Sequence, residues 1–263
     1  RIMGILNTTP DSFSDGGEYL NLNRAVDRIG EMLDEGADII DVGGESTRPG
    51  SDPVSLQEEI DRVIPVLEKA IPLFENAFFS IDTTKYGVAK SALDAGTHIV
   101  NDVSGLRKEP RFSSLCSEYD AGYVLMHSLA DPKTMQENPS YENNDVVSEL
   151  MHFFEEGIGR LNEDGTNAII VDPGIGFGKT LEHNCTIIAE LQKFCKFGYP
   201  VLMGASRKSM IGGILNGRPV QGRLAGTLAV HYHSLMNGAS ILRVHDVQEA
   251  SDSVKVFAAL SNS

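Results

Sequence analysis

"EGADIIDVGG", residues 35–44, carries the pattern that decides the fold. Gly36 stands where a helix would end in a left-handed residue. A short run follows that is apolar at nearly every position, as in a parallel strand buried on both faces. The run then stops at polar residues. The same design returns in "AGTHIVNDVSG" (95–105), "AGYVLMH" (121–127), "DGTNAIIVDPG" (164–174), "FGYPVLMGAS" (197–206) and "NGASILRVHD" (237–246). Gly96, Gly122, Gly165, Gly198 and Gly238 occupy the corresponding place.

Helical spacing fills the intervals. Ala25, Val26, Ile29, Met32 and Leu33 make one apolar face, and Val146, Val147, Leu150, Phe153, Phe154, Ile158 and Leu161 make another. Ser55 with Glu58, and Asp246 with Glu249, have capping-box spacing, while Pro65 is expected to kink or shorten its helix. With the opening strand (2–6) and "AFFSID" (77–82), the chain holds eight strand–helix units in 263 residues. The expected architecture is an α/β (β/α)₈ TIM barrel, a single domain over 1–263, with an open doubly wound sheet as the alternative.

Composition narrows the function. The chain is 41% apolar and 22% charged, with 22 Lys and Arg against 37 Asp and Glu, a net charge of −15. Nucleic-acid binding needs clustered basic residues, so that partner is not expected. No apolar tract approaches the length of a membrane span, and no signal peptide is visible. Three cysteines without a C-x-x-C pair fit a reduced, cytoplasmic protein. The chain begins at Arg1 without a methionine, which reads as a trimmed start or a piece of a longer polypeptide and leaves an upstream domain open.

In such a barrel the carboxyl ends of the strands form the functional rim. There stand Asn7, Glu45-Ser46-Thr47-Arg48, Asp82, Asn101-Asp102, Met126-His127, Asp172, Ser206-Arg207-Lys208 and Arg243 with His245. Asp82, Asn101 and Asp172 are acceptors suited to the N–H edge of a flat heterocycle. Arg48, Lys208, Arg243 and His245 supply the positive charge that would hold a phosphate or pyrophosphate. Arg243 and His245 alternate along the last strand and share a face, which is the barrel mouth if Val244 faces the helices. The rim therefore suits a nitrogen-rich ring with an anionic tail. "GIGFGKT" (174–180) is not a phosphate loop, because Pro173 stands where one needs glycine. It reads as a tight turn with Phe177 available to pack on a ring. His231 and His233 face different ways on a helix and make no zinc pair, and His98 and His152 read as structural.

"MGILNTTPDSFSDGG" (3–17), "GGESTRPG" (43–50), "DPGIGFGKT" (172–180), "GASRKS" (204–209) and "RVHDV" (243–247) together resemble the dihydropteroate synthase family, along the whole chain and in order. Thr8 stands where that family more often has Val. The resemblance implies a pterin-binding domain and a transferase of folate biosynthesis. Its reaction condenses 7,8-dihydropterin-6-ylmethyl pyrophosphate with p-aminobenzoate to dihydropteroate and pyrophosphate, with Mg²⁺. It implies Asp82, Asn101 and Asp172 as pterin acceptors, and Lys208 as donor to the pterin carbonyl and wall of the aminobenzoate site. Ser206 would meet the aminobenzoate carboxylate; Thr47, Arg243 and His245 would hold the pyrophosphate; Asn7 would bind Mg²⁺; Met126, Phe177 and Gly204 would line the pocket. It further implies a sulfonamide target and a homodimer, and in some members a pyrophosphokinase domain precedes the synthase. Loops 8–18 and 46–53 are expected to close over the leaving group.

Two other readings compete. Methyltetrahydrofolate corrinoid methyltransferases share the pterin acceptors but need no pyrophosphate site, so Arg243, His245 and "STRPG" count against them. A pterin-binding paralogue without activity would be favoured by loss of Asn7, Lys208 or Arg243, and all three are present.

Overall fold

The computed structural model describes residues 1–8, 18–46, 53–129 and 139–261. Eight strands form one parallel sheet: β1 (Ile2–Asn7), β2 (Ile39–Gly43), β3 (Phe78–Asp82), β4 (Ile99–Asp102), β5 (Gly122–Met126), β6 (Ile169–Asp172), β7 (Leu202–Met203) and β8 (Ile241–Val244). They run in the order β6-β5-β4-β3-β2-β1-β8-β7. The two ends meet through a parallel bridge between Val171 and Val201, with Val171 N donating to Pro200 O at 2.9 Å. The sheet is thus a nearly closed barrel, as the repeated unit predicts, and not a doubly wound sheet.

Helices follow the strands: α1 (Glu18–Glu35), α2 (Leu56–Ala70), α3 (Tyr86–Asp94), α4 (Phe112–Glu118), α5 (Val146–Glu163), α6 (Leu181–Ala189), α7 (Ser209–Ile214), α8 (Leu224–Met236) and α9 (Val247–Ser261). None of the described helices is long and apolar enough to cross a membrane. The main apolar core lies between helices and sheet, where Ile29, Val63, Leu67, Phe112 and Phe154 meet the outward strand residues Val42, Phe79, Ile81 and Val244. A second apolar layer, Met3, Ile39, Ile99, Val124, Ile170, Leu202 and Ile241, plugs the inside of the barrel.

Three local expectations need correction. Gly36, Gly96, Gly165, Gly198 and Gly238 do take positive φ, but Gly122 lies within β5, and Asp120 (φ 51°) is the left-handed residue after α4. Asp is tolerated there because its short polar side chain suits that conformation. Pro65 does not cut α2 short, and the helix runs five residues past it to Ala70. The proline is on the exposed side, so the carbonyl it leaves without a partner can take water. The Asp246 carboxylate does not serve as a helix cap; it pairs with Arg207.

Candidate active site

Side chains alternate across a strand, so the residue two positions beyond each member of the inner apolar layer also points inward, one step nearer the mouth. That rule takes Ile39 to Asp41, Ile99 to Asn101, Val124 to Met126, Ile170 to Asp172, Leu202 to Gly204 and Ile241 to Arg243. The barrel interior changes from dry plug to polar site in one step. Register carries the polar row round the rim, pairing Asn7 with Gly43, Gly43 with Asp82, Asp82 with Asn101 and Met126 with Asp172.

One half of the site is built on Arg243. Its Nε donates to Asp41 Oδ2 and its Nη2 to Asp82 Oδ2, each at 2.6 Å. Asn101 Nδ2 donates to the same Asp41 oxygen at 3.0 Å, which fixes the amide with its carbonyl as the remaining acceptor. Among the described residues no group reaches Asp41 Oδ1 or Asp82 Oδ1, although both atoms are buried. Burial pushes the Asp82 carboxyl up to about 7, against the pull of Arg243 and with a further push from Asp41. Arg243 is held above its usual range, because the two acids outweigh its own burial.

The other half is built on the glycine-rich turn after β6. Asp172 Oδ1 accepts from Gly174 N at 2.7 Å. Gly174 has φ 67°, and a Cβ there would fall 1.9 Å from the His127 carbonyl oxygen, so only glycine fits. The turn brings Phe177 against Met126 and Val103 as a small buried apolar patch. Lys208 Nζ lies 4.1 Å over the Phe177 ring and donates to Ile175 O at 2.5 Å. Burial draws the Lys208 ammonium down to about 8, with Asp172 opposing the shift. Burial likewise raises Asp172 above the usual carboxylate range, against its bond from Gly174. A Cβ on Gly204 would stand 3.9 Å from Asp172 Oδ2, so the missing side chain leaves the space before that carboxylate clear.

Ser206 and His245 close the ring between β7 and β8. Ser206 Oγ lies 3.0 Å from His245 Nδ1 and accepts from His245 N at 3.2 Å. Asn7, half-buried, ends β1 at the rim. Thr47 and Arg48, and with them most of loops 8–18 and 46–53, lie outside the described residues. Flanking the second loop, Glu45 accepts from Val54 N and pairs with Lys85, which also pairs with the fully buried Glu59.

Acceptors, cations and an apolar wall thus converge at one mouth, and the comparisons agree with that chemistry. The family of pterin binding enzymes matches residues 3–245. The chain belongs to this family. It is 46% identical to the dihydropteroate synthase of Escherichia coli K12 over 261 residues, 98% of this chain and 91% of that protein. The solved structure of the Yersinia pestis dihydropteroate synthase with a sulfonamide drug superposes with a TM-score of 0.92 at 42% identity, covering 100% of this chain and 94% of that one. The Xanthomonas albilineans synthase in complex with 7,8-dihydropteroate gives 0.88 at 38% identity over 99% and 93%. Within the pterin-binding family the chain therefore stands with the dihydropteroate synthases, which are transferases.

Asp41 is the site residue that sequence reading of this pterin-binding enzyme passes over. It stands inside the apolar run "DIIDVGG" and reads as part of a strand. A charge in a strand buried on both faces must have a partner, and that is the signal. Lys179 is similar, being hidden in the failed phosphate motif. It is buried, with Nζ 3.0 Å from His127 Nδ1 and donating to the carbonyls of His127 at 3.2 Å and Phe177 at 3.1 Å. Burial holds it well below the usual ammonium range. It clamps the glycine-rich turn from behind.

Proposed function

We propose that this mouth condenses 7,8-dihydropterin-6-ylmethyl pyrophosphate with p-aminobenzoate. The observation that carries the reading is the row of inward acceptors, Asp82, Asn101 and Asp172, facing a cation, Lys208, that is packed on Phe177. A pterin ring presents an aminopyrimidinone edge with paired N–H donors and a carbonyl. The three acceptors match the donors, Lys208 matches the carbonyl, and Met126, Phe177 and Gly204 leave a flat apolar slot for the ring.

In this reading the bond between the pterin methylene carbon and the pyrophosphate oxygen breaks, and its electron pair leaves with pyrophosphate. The aminobenzoate nitrogen supplies the pair for the new C–N bond and then loses a proton. Arg243, His245, Thr47 and Arg48 would hold the departing anion, and Ser206 would orient the aminobenzoate carboxylate. Asp82 would offset positive charge developing on the pterin, an effect strengthened where water is excluded. The residues need form no covalent intermediate.

Mg²⁺ takes oxygen ligands, keeps several waters and is held largely by substrate phosphates with few protein groups. The single amide of Asn7 at the rim fits that donor set. Asn7 would hold the ion, which would supply charge neutralisation on the leaving pyrophosphate. We also read the protein as a cytoplasmic homodimer. The three free cysteines support a reduced compartment.

A coupled pyrophosphate-release assay tests the function. Release that depends on p-aminobenzoate and is competed by a sulfonamide is expected; release that ignores p-aminobenzoate, or no release, overturns the reading.

A further inference from the structure

Resting on the synthase reading, we propose that Arg207 is a positioning residue: its left-handed backbone, locked by α8 and by Asp246, sets the turn that aims Ser206 and Lys208 at the barrel mouth.

The chain leaves β7 through a tight turn closed by Lys208 N donating to Ala205 O at 3.2 Å. Arg207 occupies the third position of that turn with φ 58°. Turns with positive φ there favour glycine or asparagine. A non-glycine residue persists in that conformation only where its surroundings over-determine it. Here they do. Arg207 N donates to Thr227 Oγ1 at 3.1 Å, and Arg207 O accepts from Arg223 Nη1 at 2.9 Å. Arg207 Nε donates to Asp246 Oδ2 at 2.9 Å, while Nη2 pairs with Oδ1. Arg223 is itself seated on α7, where a Cβ on Gly212 would approach its Nη2 to 2.6 Å.

The residues on either side are the ones the site uses. Ser206 meets His245, and Lys208 lies over Phe177. Asp246 directly follows His245, so the Arg207–Asp246 fork runs beside the Ser206–His245 contact and ties the β7 turn to the end of β8. The fork is partly exposed, with side chains 39% and 16% accessible. The bidentate geometry fixes the Arg207 side chain in one orientation. What it contributes is direction.

Arg207→Ala, Arg207→Gly, Arg207→Lys, Asp246→Ala and the double alanine variant test this by steady-state pyrophosphate release, pterin calorimetry and thermal melting. Arg207→Ala is expected to raise the KM for p-aminobenzoate about tenfold. Pterin Kd should rise less, by about threefold, since Lys208 is the one ring contact this turn aims while Asp82, Asn101 and Asp172 stand on other strands. Arg207→Gly keeps the turn and loses the fork, so it should fall between wild type and alanine, and Arg207→Lys should recover part of the loss. Adding Asp246→Ala to Arg207→Ala should cost less than about twofold more, because both break one link. An unchanged aminobenzoate KM overturns the proposal. So does an equal loss for pterin and aminobenzoate with a lowered melting temperature, which would mark a merely structural residue. A wild-type protein that releases no pyrophosphate with both substrates overturns the synthase reading and the proposal with it.

Discussion

Arg243 on β8 and Asp82 on β3 meet at 2.6 Å across the barrel, from strands separated by β1 and β2. The sequence divides the rim into an acceptor half for a ring and a cationic half for an anion. This contact joins the two halves, because the guanidinium expected to hold pyrophosphate also sets the carboxylate expected to hold the ring.

Removing Arg243 leaves two buried carboxylates without their cation. Arg243→Met is expected to cost about 3–5 kcal/mol in urea unfolding. Arg243→Lys keeps the charge but cannot serve Asp41 and Asp82 at once. It should retain most of the stability and lose roughly 10²-fold in kcat. A pterin lacking the pyrophosphate should also bind more weakly to it, because Asp82 is no longer held. Unchanged binding of that shortened ligand would separate Arg243 from the ring.

The pH profile of kcat/KM should be a narrow bell. The acid limb follows Asp82, which must lose its proton near pH 7 to accept from the ring, and the alkaline limb follows Lys208, which loses its charge near pH 8. Asp82→Asn should remove the acid limb, and Lys208→Arg should move the alkaline limb beyond the measurable range. Stability carries the opposite sign for Asp82. The folded protein keeps its proton up to about 7, whereas the unfolded chain releases it near 3.8. The contribution is therefore full below the lower value and is lost as pH rises through the upper one.

Asp172→Asn replaces an acceptor by a group that can turn a donor toward the pterin donors. A charge-assisted hydrogen bond contributes about 1.5–3 kcal/mol, so pterin affinity should fall at least about tenfold by calorimetry. An unchanged Kd would remove Asp172 from the pocket.

Glu59 of α2 is fully buried, accepts from Thr83 Oγ1 at 2.6 Å and pairs with Lys85. Lys85→Met strands that carboxylate and should cost about 3 kcal/mol. Lys85→Met combined with Glu59→Gln should recover more than about half of the loss in urea unfolding. Additive losses would show that the two do not act as a pair.

The strands, the closed barrel and the inward row at their ends were legible because each depends on local rules: glycine after a helix, unbroken apolar runs, and period two. Asp82 and Asp172 could be read because they end their strands, and Asn101 because it stands one residue before the end of β4, where polarity interrupts the run. Asp41 could not, because its partners lie far off in sequence at Asn101 and Arg243, and nothing local announces them. Asp246 misled for the same reason, since its helix-start position is local and its bond to Arg207 is not. Asp120 replaced the expected glycine because several side chains tolerate a left-handed residue and periodicity cannot choose among them.

The seam between β6 and β7 has a mechanical consequence. Elsewhere neighbouring strands share a ladder, but here the hoop is fastened mainly at Val171 and Val201. Local opening begins where fewest bonds resist it. Asp172 stands on one lip of this clasp, and Gly204 and Ser206 stand on the other. Any molecule gripped from both lips works as a stitch through the clasp, and its binding free energy adds to the work of opening the seam.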